Sequence, residues 1–480
     1  MDSAVSHNPS GDLRARGAES CQPFYRTDVM TASGGALAGP GQRQWWADNL
    51  RVLVIAAVVV FHTATAYLGG TSWYFMQRTT SSAWSAAAFP AEVIAVFALG
   101  PLFLLAGWFS ARSLTRKGAG AFARARLLRL GIPLIAFIFL INGLCGYVGQ
   151  LRDRGHPSLT SLLRTSFGVG PMWFVAALLT FSLAYAVLRA LGVPAAERGR
   201  SCTQLIVGTA ALIAVSAFLT WQRWPLDGSA TFLDARWAEW PQGGLLFALG
   251  VWAGEVGSLD HLAALARRLG WTAVAGMTLL AGMLGYEQSR GTLASTLHGA
   301  GWSSVLMTVL YGIISVAYSV WFIATVRARW SGGGSLRARA GQASYAAYFL
   351  HPLVLTAIMV AFASLALAPE LKFLIVAVLA VPACFLAGYA LTRLPRISRA
   401  LLTAGKPAAR ARSRPTVPDI PRSTTHGTAD RWRTPGPYRP ARRRRLDPAS
   451  LMPRSCKYAK AVLERFGVHV SGRLLGGNIK

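Results

Sequence analysis

The chain has 480 residues, of which 53% are hydrophobic and only 14% are charged, and its mean hydropathy is +0.38. Soluble domains carry roughly a quarter of charged residues, so this composition excludes an ordinary soluble enzyme and indicates an integral membrane protein. The net charge of +30 does not indicate a nucleic-acid partner, because from Arg393 onwards the chain has 21 Lys and Arg but only 4 Asp and Glu, and the rest of the excess lies in short segments between apolar runs.

The N-terminal segment, residues 1–44, is polar and rich in Gly, Ala and Ser. It contains no apolar core followed by a cleavage site, which argues against a signal peptide. We expect a disordered cytoplasmic segment here. The first apolar run, which starts at Leu50, is then a span that stays in the protein.

Apolar runs long enough to cross a bilayer recur through residues 45–395. A hydrocarbon core of ~30 Å needs about 20 apolar residues in a helix. The sequence therefore predicts an all-α, polytopic membrane domain of about ten spans, with no separate soluble catalytic domain. The predicted spans are 50–69, 89–111, 131–149, 171–191, 203–221, 241–257, 270–287, 303–326, 343–365 and 371–392.

The charges between the spans predict the orientation. If the N-terminus is inside, the inner loops hold 15 Lys and Arg and the outer loops hold 8. The positive-inside rule favours this arrangement, and an even number of spans places the C-terminus inside as well. We expect a multi-pass protein of the plasma membrane with both termini in the cytoplasm.

The tail, residues 396–480, is rich in Pro, Arg, Ser and Thr and contains the basic run Arg442–Arg445. It lacks a sustained apolar pattern, so we expect it to be mostly disordered. Its basic residues either attract anionic lipid headgroups or have no specific role, and the sequence leaves both interpretations open.

Two histidines fall inside predicted spans, where ionisable side chains are costly and mark functional sites. His62 lies eleven residues after Arg51 and His351 nine residues after Gln342, which places them about 16 Å and about 13 Å deep along their helices. A buried neutral histidine can remove a proton from a hydroxyl nucleophile, so His62 is the candidate general base. Alternatively, each ring only hydrogen-bonds its neighbours, and Pro352 favours a ring at position 351 that satisfies a freed backbone carbonyl.

Basic side chains are concentrated at the predicted inner face. Asp48 and Arg51 are three residues apart and can form a pair on one face of a helix. Guanidinium groups bind phosphates bidentately, so this region could hold a phosphorylated carrier, although positive-inside topology explains any single residue equally well. The basic residues that follow the second predicted span are Arg112, Arg116, Lys117, Arg124, Arg126 and Arg129.

Several of these segments resemble the acyltransferase-3 family of membrane acyltransferases. Arg51 and His62, with ten residues between them, resemble the pair in the first span of that family. The stretch Gly100–Phe109 and the basic segment after it are similar to the second span and basic loop. Pro171–Phe174 resembles a Trp-Phe span, and Ser344–His351 resembles a Tyr-rich late span that ends in histidine.

The resemblance covers about residues 44–395 and implies a reaction. An acyl group such as acetyl or succinyl passes from cytoplasmic acyl-CoA to a hydroxyl of a sugar, a glycan or a glycosylated small molecule, and the nearest members are of the glucan-succinylating and sugar-O-acetylating type. It implies that His62 is catalytic and that acyl-CoA is a co-substrate. We expect the substrate-binding residues to be Asp48, Arg51, Arg112, Arg126, Arg129, Trp173, Tyr345 and His351.

The resemblance leaves one assignment open. The family's pair of arginines corresponds either to Arg112 and Arg116 or to Arg126 and Arg129, and the sequence does not decide between them.

The five cysteines are scattered, with no C-x-x-C pair, so neither a bound cofactor nor a metal is predicted. The expected partners are therefore acyl-CoA, a carbohydrate or glycoside acceptor and the lipid bilayer, with no nucleic acid.

Two other classes of function compete with an enzyme. Ten spans with a histidine at mid-depth also suit a secondary transporter, although we find no clear similarity between the halves and no acidic residue deep in a span. A non-catalytic membrane scaffold is the third possibility. It predicts that substitution of His62 or Arg51 has no effect, whereas loss of the tail does.

Overall fold

Helices make up nearly all of the protein that its computed structural model describes, namely residues 44–394 except 70–71, 152–167, 198, 200, 225–234 and 258. The chain divides into two units, Met1–Ala409 and Arg410–Lys480, and every described residue belongs to the first. The predicted disordered segments, 1–44 apart from Gln44 and 396–480, lie outside the described residues.

The α-helices follow one another with short connections. In chain order they are α1 (Trp45–Tyr67), α2 (Ser82–Ala98), α3 (Gly100–Lys117), α4 (Ala119–Arg126), α5 (Ile132–Ala136), α6 (Asn142–Gln150), α7 (Trp173–Ala190), α8 (Cys202–Trp221), α9 (Trp240–Val256), α10 (Leu259–Ala264), α11 (Ala266–Ser289), α12 (Leu293–Leu297), α13 (Trp302–Arg329), α14 (Ser335–Phe362) and α15 (Pro369–Arg393). The π-helical segments Leu127–Gly131 and Phe137–Ile141 join α4, α5 and α6, and the 3-10 turns Gly170–Met172 and Trp237–Glu239 precede α7 and α9.

Nine helical stretches of the described chain are long and apolar enough to cross a membrane. The sixth predicted span corresponds to α9, which has 17 residues and is about 26 Å long. It packs parallel to α3, since Gly250 approaches Leu104 while Gly254 approaches Trp108. If every predicted span crosses the membrane, the second span, which contains α3, and the sixth span, which is α9, must run in the same direction. The parallel packing of α9 and α3 agrees with a sixth crossing by α9. The prediction of an all-α, polytopic membrane protein is thus confirmed for the described residues.

Both ends of the described chain lie on one face of the helix bundle. At the start of α1, the side chain of Asn49 donates to the carbonyl of Trp330 at 2.6 Å, and Gly333 packs against the ring of Trp45. The last helix, α15, runs antiparallel to α14, because Gly388 near its end meets Ala343 near the start of α14. The start of α1 and the end of α15 thus lie on the same face, which implies that the chain crosses the membrane an even number of times.

The basic segment that was expected to form a loop after the second span is helical instead. Helix α3 extends to Lys117, Gly118 turns the chain with φ = 81°, and α4 begins at once. The physical reason is the composition of α4, AGAFARAR, because Ala and Arg are strong helix formers. Arg126 and Arg129 are therefore held on a rigid element rather than on a loop.

Some helices approach so closely that only glycine fits between their backbones. A Cβ atom on Gly250 of α9 would lie 1.9 Å from the carbonyl oxygen of Leu104, and a Cβ on Gly107 of α3 would lie 2.0 Å from that of Phe247. Small residues allow such approach in membranes, where van der Waals packing drives helix association. At the periphery, α11 is mostly exposed, and Trp271 and Trp302 are 73% and 78% exposed, as is typical of side chains that face lipid.

We predict that Gly250→Ala destabilises the protein whereas Gly282→Ala does not. The first substitution forces a methyl group into the α3 backbone, which costs about 1–3 kcal/mol or more. The second adds a methyl group where nothing lies within 4 Å, and Ala favours a helix over Gly by roughly 0.5–1 kcal/mol. Thermal unfolding in detergent measures both variants, and a Gly250→Ala protein as stable as the wild type would contradict the packing described for α3 and α9.

Candidate active site

The two histidines predicted at similar depth lie next to each other. His62 in α1 and His351 in α14 have ring centroids 5.4 Å apart, with an angle of 21° between the ring planes. Helix α1 packs against both α14 and α15, which brings the two rings together. His351 is fully buried, whereas His62 is partly exposed to a cavity.

Trp73 covers one face of His62, with centroids 4.2 Å apart and planes inclined by 25°. It reaches this position because the segment after α1 folds back along the helix, so that the N–H groups of Gln77 and Thr79 donate to the carbonyls of Ala66 and Tyr67. Trp73 was not among the residues predicted from the sequence. A tryptophan in a loop next to a span is typical of a membrane interface, so no local signal pointed to the histidine.

Proline 352 explains how His351 is oriented. A proline inside a helix has no N–H to donate to the carbonyl four residues earlier, which here belongs to Tyr348. Nδ1 of His351 lies 2.5 Å from that carbonyl oxygen and supplies the missing hydrogen bond. The ring of His351 therefore does satisfy a carbonyl that Pro352 frees, as the sequence suggested.

His62 presents one ring nitrogen to the cavity. Its Nδ1 is buried and has no hydrogen-bond partner among the described residues, while the side chain lines a cavity of about 900 Å³. Nε2 is therefore the ring nitrogen that a molecule in the cavity can reach. This volume is within the range of small-molecule sites, about 300–1,000 Å³.

Aromatic and amide side chains dominate the functional groups of the cavity wall. Tyr74 and Asn142 hydrogen-bond each other, and the amide of Asn142 also donates to the carbonyl of Gly168 at 3.3 Å. The hydroxyl of Tyr348 donates to the carbonyl of Pro171. Of the residues predicted to bind substrate, only Trp173 is in the wall. The larger aromatic and polar side chains there, besides His62, are Phe61, Trp73, Tyr74, Trp84, Asn142, Gln150, Trp173, Arg236, Glu239, Tyr348 and Phe373.

The cavity wall also contains an ion pair, Arg236 with Glu239, that was not predicted from the sequence. Arg236 holds the buried carboxylate of Glu239 through Nη2 and Nε, each 2.6 Å from Oε1, and the charge of Arg236 acts on His62. The backbone of Arg236 is in the left-handed region, with φ = 49° and ψ = 50°, a rare conformation outside glycine that is often functional. An Arg and a Glu three residues apart at the entrance of a span were the available signal.

On the opposite side of the bundle from this cavity, three arginines form a cluster. Arg51 pairs with Asp48 at 3.0 Å and lies over the ring of Phe109. The charges of Arg51, Arg126 and Arg129 act on one another, and Arg126 donates to Ser110 at 2.8 Å. Three neighbouring guanidinium groups with one carboxylate leave an excess of positive charge, which suits a phosphate-bearing ligand.

Arg112 lies in a different environment. Its guanidinium group stacks on the ring of Trp108 at 4.0 Å. The charges of Arg327 and Asp260 act on it, and these two residues pair with each other at 2.5 Å. The structure thus places Arg126 and Arg129, rather than Arg112, beside Arg51.

Tyr345 supports the backbone at this cluster. Pro133 cannot donate to the carbonyl of Arg129, four residues earlier, and the hydroxyl of Tyr345 donates to that oxygen at 3.2 Å. The helix here contains π-helical segments on both sides of Pro133, and such segments are frequent at functional sites. Tyr345 therefore holds Arg129 through its backbone and is not part of the cavity wall.

The site as a whole has two compartments with His62 between them. The arginine cluster lies toward the start of α1, and the cavity extends from His62 toward the segments that connect helices on the other face. Within the described residues, no three His, Cys, Asp or Glu side chains are placed to hold a metal ion. The arrangement offers a positively charged cluster suited to phosphate at one end, a base in the middle and a mostly apolar, aromatic cavity with a few polar groups at the other end.

Comparison with known proteins gives one match. A family model described as "Acyltransferase domain" matches residues 44–393, about the same range as the described helices. No curated protein and no solved structure matches the chain.

We predict that the hydroxyl of Tyr345 and the ring of Pro133 are energetically coupled. Tyr345→Phe should cost about 1 kcal/mol, the net value of one hydrogen bond. In a Pro133→Ala background a backbone N–H becomes available to Arg129, so the same substitution should cost much less. Thermal unfolding of the four proteins measures the coupling. Tyr318→Phe is the matched control, because Tyr318 makes ring contacts but its hydroxyl makes no hydrogen bond within the described residues. Equal losses in both backgrounds would contradict the role of Tyr345.

Proposed function

The chain belongs to the membrane acyltransferase-3 family, and we propose that it moves an acyl group from cytoplasmic acyl-CoA to a hydroxyl of a glycan or a glycosylated small molecule. The observation that carries this proposal is the position of His62. Its reachable nitrogen faces a 900 Å³ cavity, and a cluster of arginines lies at the other end of the same helix.

The positive charge of the arginine cluster supports acyl-CoA as the acyl donor. Acyl-CoA carries phosphates that require cationic partners, and guanidinium groups bind them bidentately. Arg51, Arg126 and Arg129 provide three cations, with Asp48 holding Arg51 in place. The pantetheine arm would then extend about 16 Å along α1 toward His62, the rise of eleven helical residues.

The side chains of the cavity wall suit an acceptor that carries a sugar. Aromatic rings such as those of Trp73, Tyr74 and Trp173 pack against the C–H faces of a sugar, while the amides of Asn142 and Gln150 hydrogen-bond to its hydroxyl groups. A pocket that is mostly apolar with a few placed polar groups is typical of small-molecule recognition. These features support a carbohydrate or glycoside acceptor.

In the proposed reaction, Nε2 of His62 removes the proton from the acceptor hydroxyl as its oxygen attacks the thioester carbonyl carbon. The new C–O bond forms, the C–S bond breaks, and the proton passes from His62 to the departing sulfur. The products are the acylated acceptor and free CoA. Because donor and acceptor meet inside the membrane domain, an acyl group taken from the cytoplasm can be delivered to an acceptor on the other side.

The proposed location is the plasma membrane, with both termini in the cytoplasm. Loop charge favours this orientation, and it places the arginine cluster on the side where acyl-CoA is found. Family membership favours the enzyme over the transporter and the scaffold.

We predict that His62→Gln abolishes acyl transfer without preventing insertion or folding. Loss of a general base lowers the rate by about 10²–10⁴-fold. The assay is transfer from labelled acetyl-CoA or succinyl-CoA to a glycan acceptor by protein reconstituted in vesicles. His298→Gln is the matched control, because this histidine bonds the carbonyl of Trp221, away from the cavity. Normal turnover by His62→Gln would remove His62 from the mechanism.

We also predict that the two candidate arginine pairs behave differently. Arg126→Ala should raise the KM for acyl-CoA by about 10-fold or more, since a charged hydrogen bond contributes about 1.5–3 kcal/mol. Arg112→Ala should leave that KM within about 3-fold of the wild type, because the guanidinium lies beside Trp108 and Arg327 and makes no phosphate contact of that strength. The reverse ranking would assign the donor site to Arg112.

A further inference from the structure

Two ring nitrogens at the site are buried and unpaired. They are Nδ1 of His62 and Nε2 of His351, and neither has a hydrogen-bond partner among the described residues. An unpaired polar atom inside a protein costs about as much as a lost hydrogen bond, and the cost is higher in a membrane interior. Two such atoms on neighbouring rings therefore call for a common explanation.

The planes of the two imidazole rings are nearly parallel, with 21° between them. Two imidazoles joined by an N–H···N bond of about 2.9 Å have centroids about 5 Å apart, close to the observed 5.4 Å. Trp73 occupies the face of His62, at 4.2 Å, and is 6.2 Å from His351. Seen from His62, these three separations place His351 roughly at a right angle to the direction of Trp73, which favours an approach of His351 toward the edge of the His62 ring.

The hydrogen bond at the far side of His351 fixes which of its nitrogens can accept. A carbonyl oxygen can only accept a hydrogen bond, so Nδ1 of His351, 2.5 Å from the carbonyl of Tyr348, carries the proton. In the neutral ring Nε2 then holds the lone pair. Pro352 makes this choice compulsory, because it leaves the Tyr348 carbonyl without its usual backbone donor.

We propose that His351 is a positioning residue whose Nε2 accepts a hydrogen bond from the Nδ1–H of His62. This bond fixes the tautomer of His62, leaving the lone pair on Nε2, the nitrogen that faces the cavity. Both nitrogens are unpaired in the structure, so the bond requires a small adjustment of the His62 side chain. The result is a chain of hydrogen bonds that runs from the Tyr348 carbonyl through His351 to His62 and ends at the acceptor hydroxyl.

The role of this chain in catalysis rests on the proposed function. When Nε2 of His62 takes the proton of the hydroxyl, His62 becomes a cation, and its Nδ1–H bond to His351 strengthens because the donor is charged. The proton then leaves Nε2 for the CoA sulfur, and His62 returns to the same tautomer. His351 neither gains nor loses a proton, and it contacts neither substrate.

The other groups around His62 do not replace this acceptor. Phe61 and Trp73 pack against the ring with centroids 5.2 Å and 4.2 Å away, and an aromatic ring is a poor acceptor compared with a nitrogen lone pair. Arg236, the charge that acts on His62 from the cavity wall, has only donors. Among these neighbours, only His351 offers a lone pair.

Two amide substitutions separate positioning from structural support. The amide of Asn lies where Nδ1 of histidine lies, so His351→Asn can still donate to the Tyr348 carbonyl but has nothing at the Nε2 position. The amide of Gln lies at the Nε2 position, so His351→Gln can accept from His62 but cannot reach the carbonyl. The two variants thus each retain one of the two hydrogen bonds.

We expect His351→Asn to fold normally and to lower kcat by about 10²–10⁴-fold with little change in the KM for acyl-CoA, since loss of a tautomer-fixing partner has effects of this size. We expect His351→Gln to retain kcat within about 10-fold and to unfold at a lower temperature. If His351 only satisfies the Tyr348 carbonyl, the order reverses, with the Asn variant active and the Gln variant impaired. That result would overturn the proposal.

A spectroscopic test does not depend on activity. Solid-state ¹⁵N NMR of histidine-labelled protein in bilayers, with His62 assigned by its loss in His62→Gln, reports which ring nitrogen carries the proton. We expect protonated Nδ1 in the wild type and in His351→Gln, and a shift toward protonated Nε2 in His351→Asn. Protonated Nε2 in the wild type would overturn the inference. If no acyl transfer were found with any CoA thioester, the proposed function would fail, yet the NMR result would still decide the role of His351.

Discussion

A carbonyl oxygen in the hydrocarbon region must accept a hydrogen bond from the protein, because lipid tails offer no donor. Two of the prolines inside helical stretches of the described chain remove backbone donors beside the site, Pro352 from the carbonyl of Tyr348 within a span and Pro133 from the carbonyl of Arg129 at the predicted inner end of another. In each case a side chain supplies the missing bond, Tyr345 in the first and His351 in the second. Both of these side chains belong to α14, so one helix repairs both defects and connects the two compartments of the site.

The need to satisfy these carbonyls also fixes two parts of the site, the backbone beside the arginine cluster and the ring beside His62. Tyr345 fixes the backbone beside the arginine cluster, and the bond from His351 to Tyr348 fixes a ring beside His62. The same helix also contributes Tyr348, whose hydroxyl bonds the Pro171 carbonyl in the cavity wall. Backbone defects of this kind are tolerated in membrane helices when neighbouring side chains satisfy the freed groups. In this protein the side chains that satisfy the freed carbonyls, Tyr345 and His351, lie next to the residues proposed to function, Arg129 and His62.

Close helix packing brings these elements together. Glycines at the α3–α9 contact let two backbones meet, and Gly388 does the same for α15 against α14, next to α1. Since a hydrophobic driving force between helices is absent in lipid, such contacts depend on shape. Large aromatic side chains contribute to the wall of the cavity, and residues 77–79 of the segment that follows Trp73 lie between the end of α1 and the start of α15. That segment is held by Lys372, which donates to Gln77 at 2.8 Å.

The sequence alone determined the features that depend on local chemistry. Hydropathy and the helical rise predicted the crossings and the similar depths of His62 and His351, and the position of Pro352 suggested what the ring of His351 bonds to. Other features depend on the packing of segments that are distant in the chain and are seen only in the folded protein. The two rings meet, Trp73 covers His62, and Arg236 and Glu239 line the cavity. Arg126 and Arg129, rather than Arg112, lie beside Arg51. The physical reason is that a helix places side chains by a fixed rise and rotation, which the sequence encodes locally. The neighbour that a helix packs against depends on small residues and connecting segments far away in the chain. A single sequence carries no local signal of which distant segments come into contact.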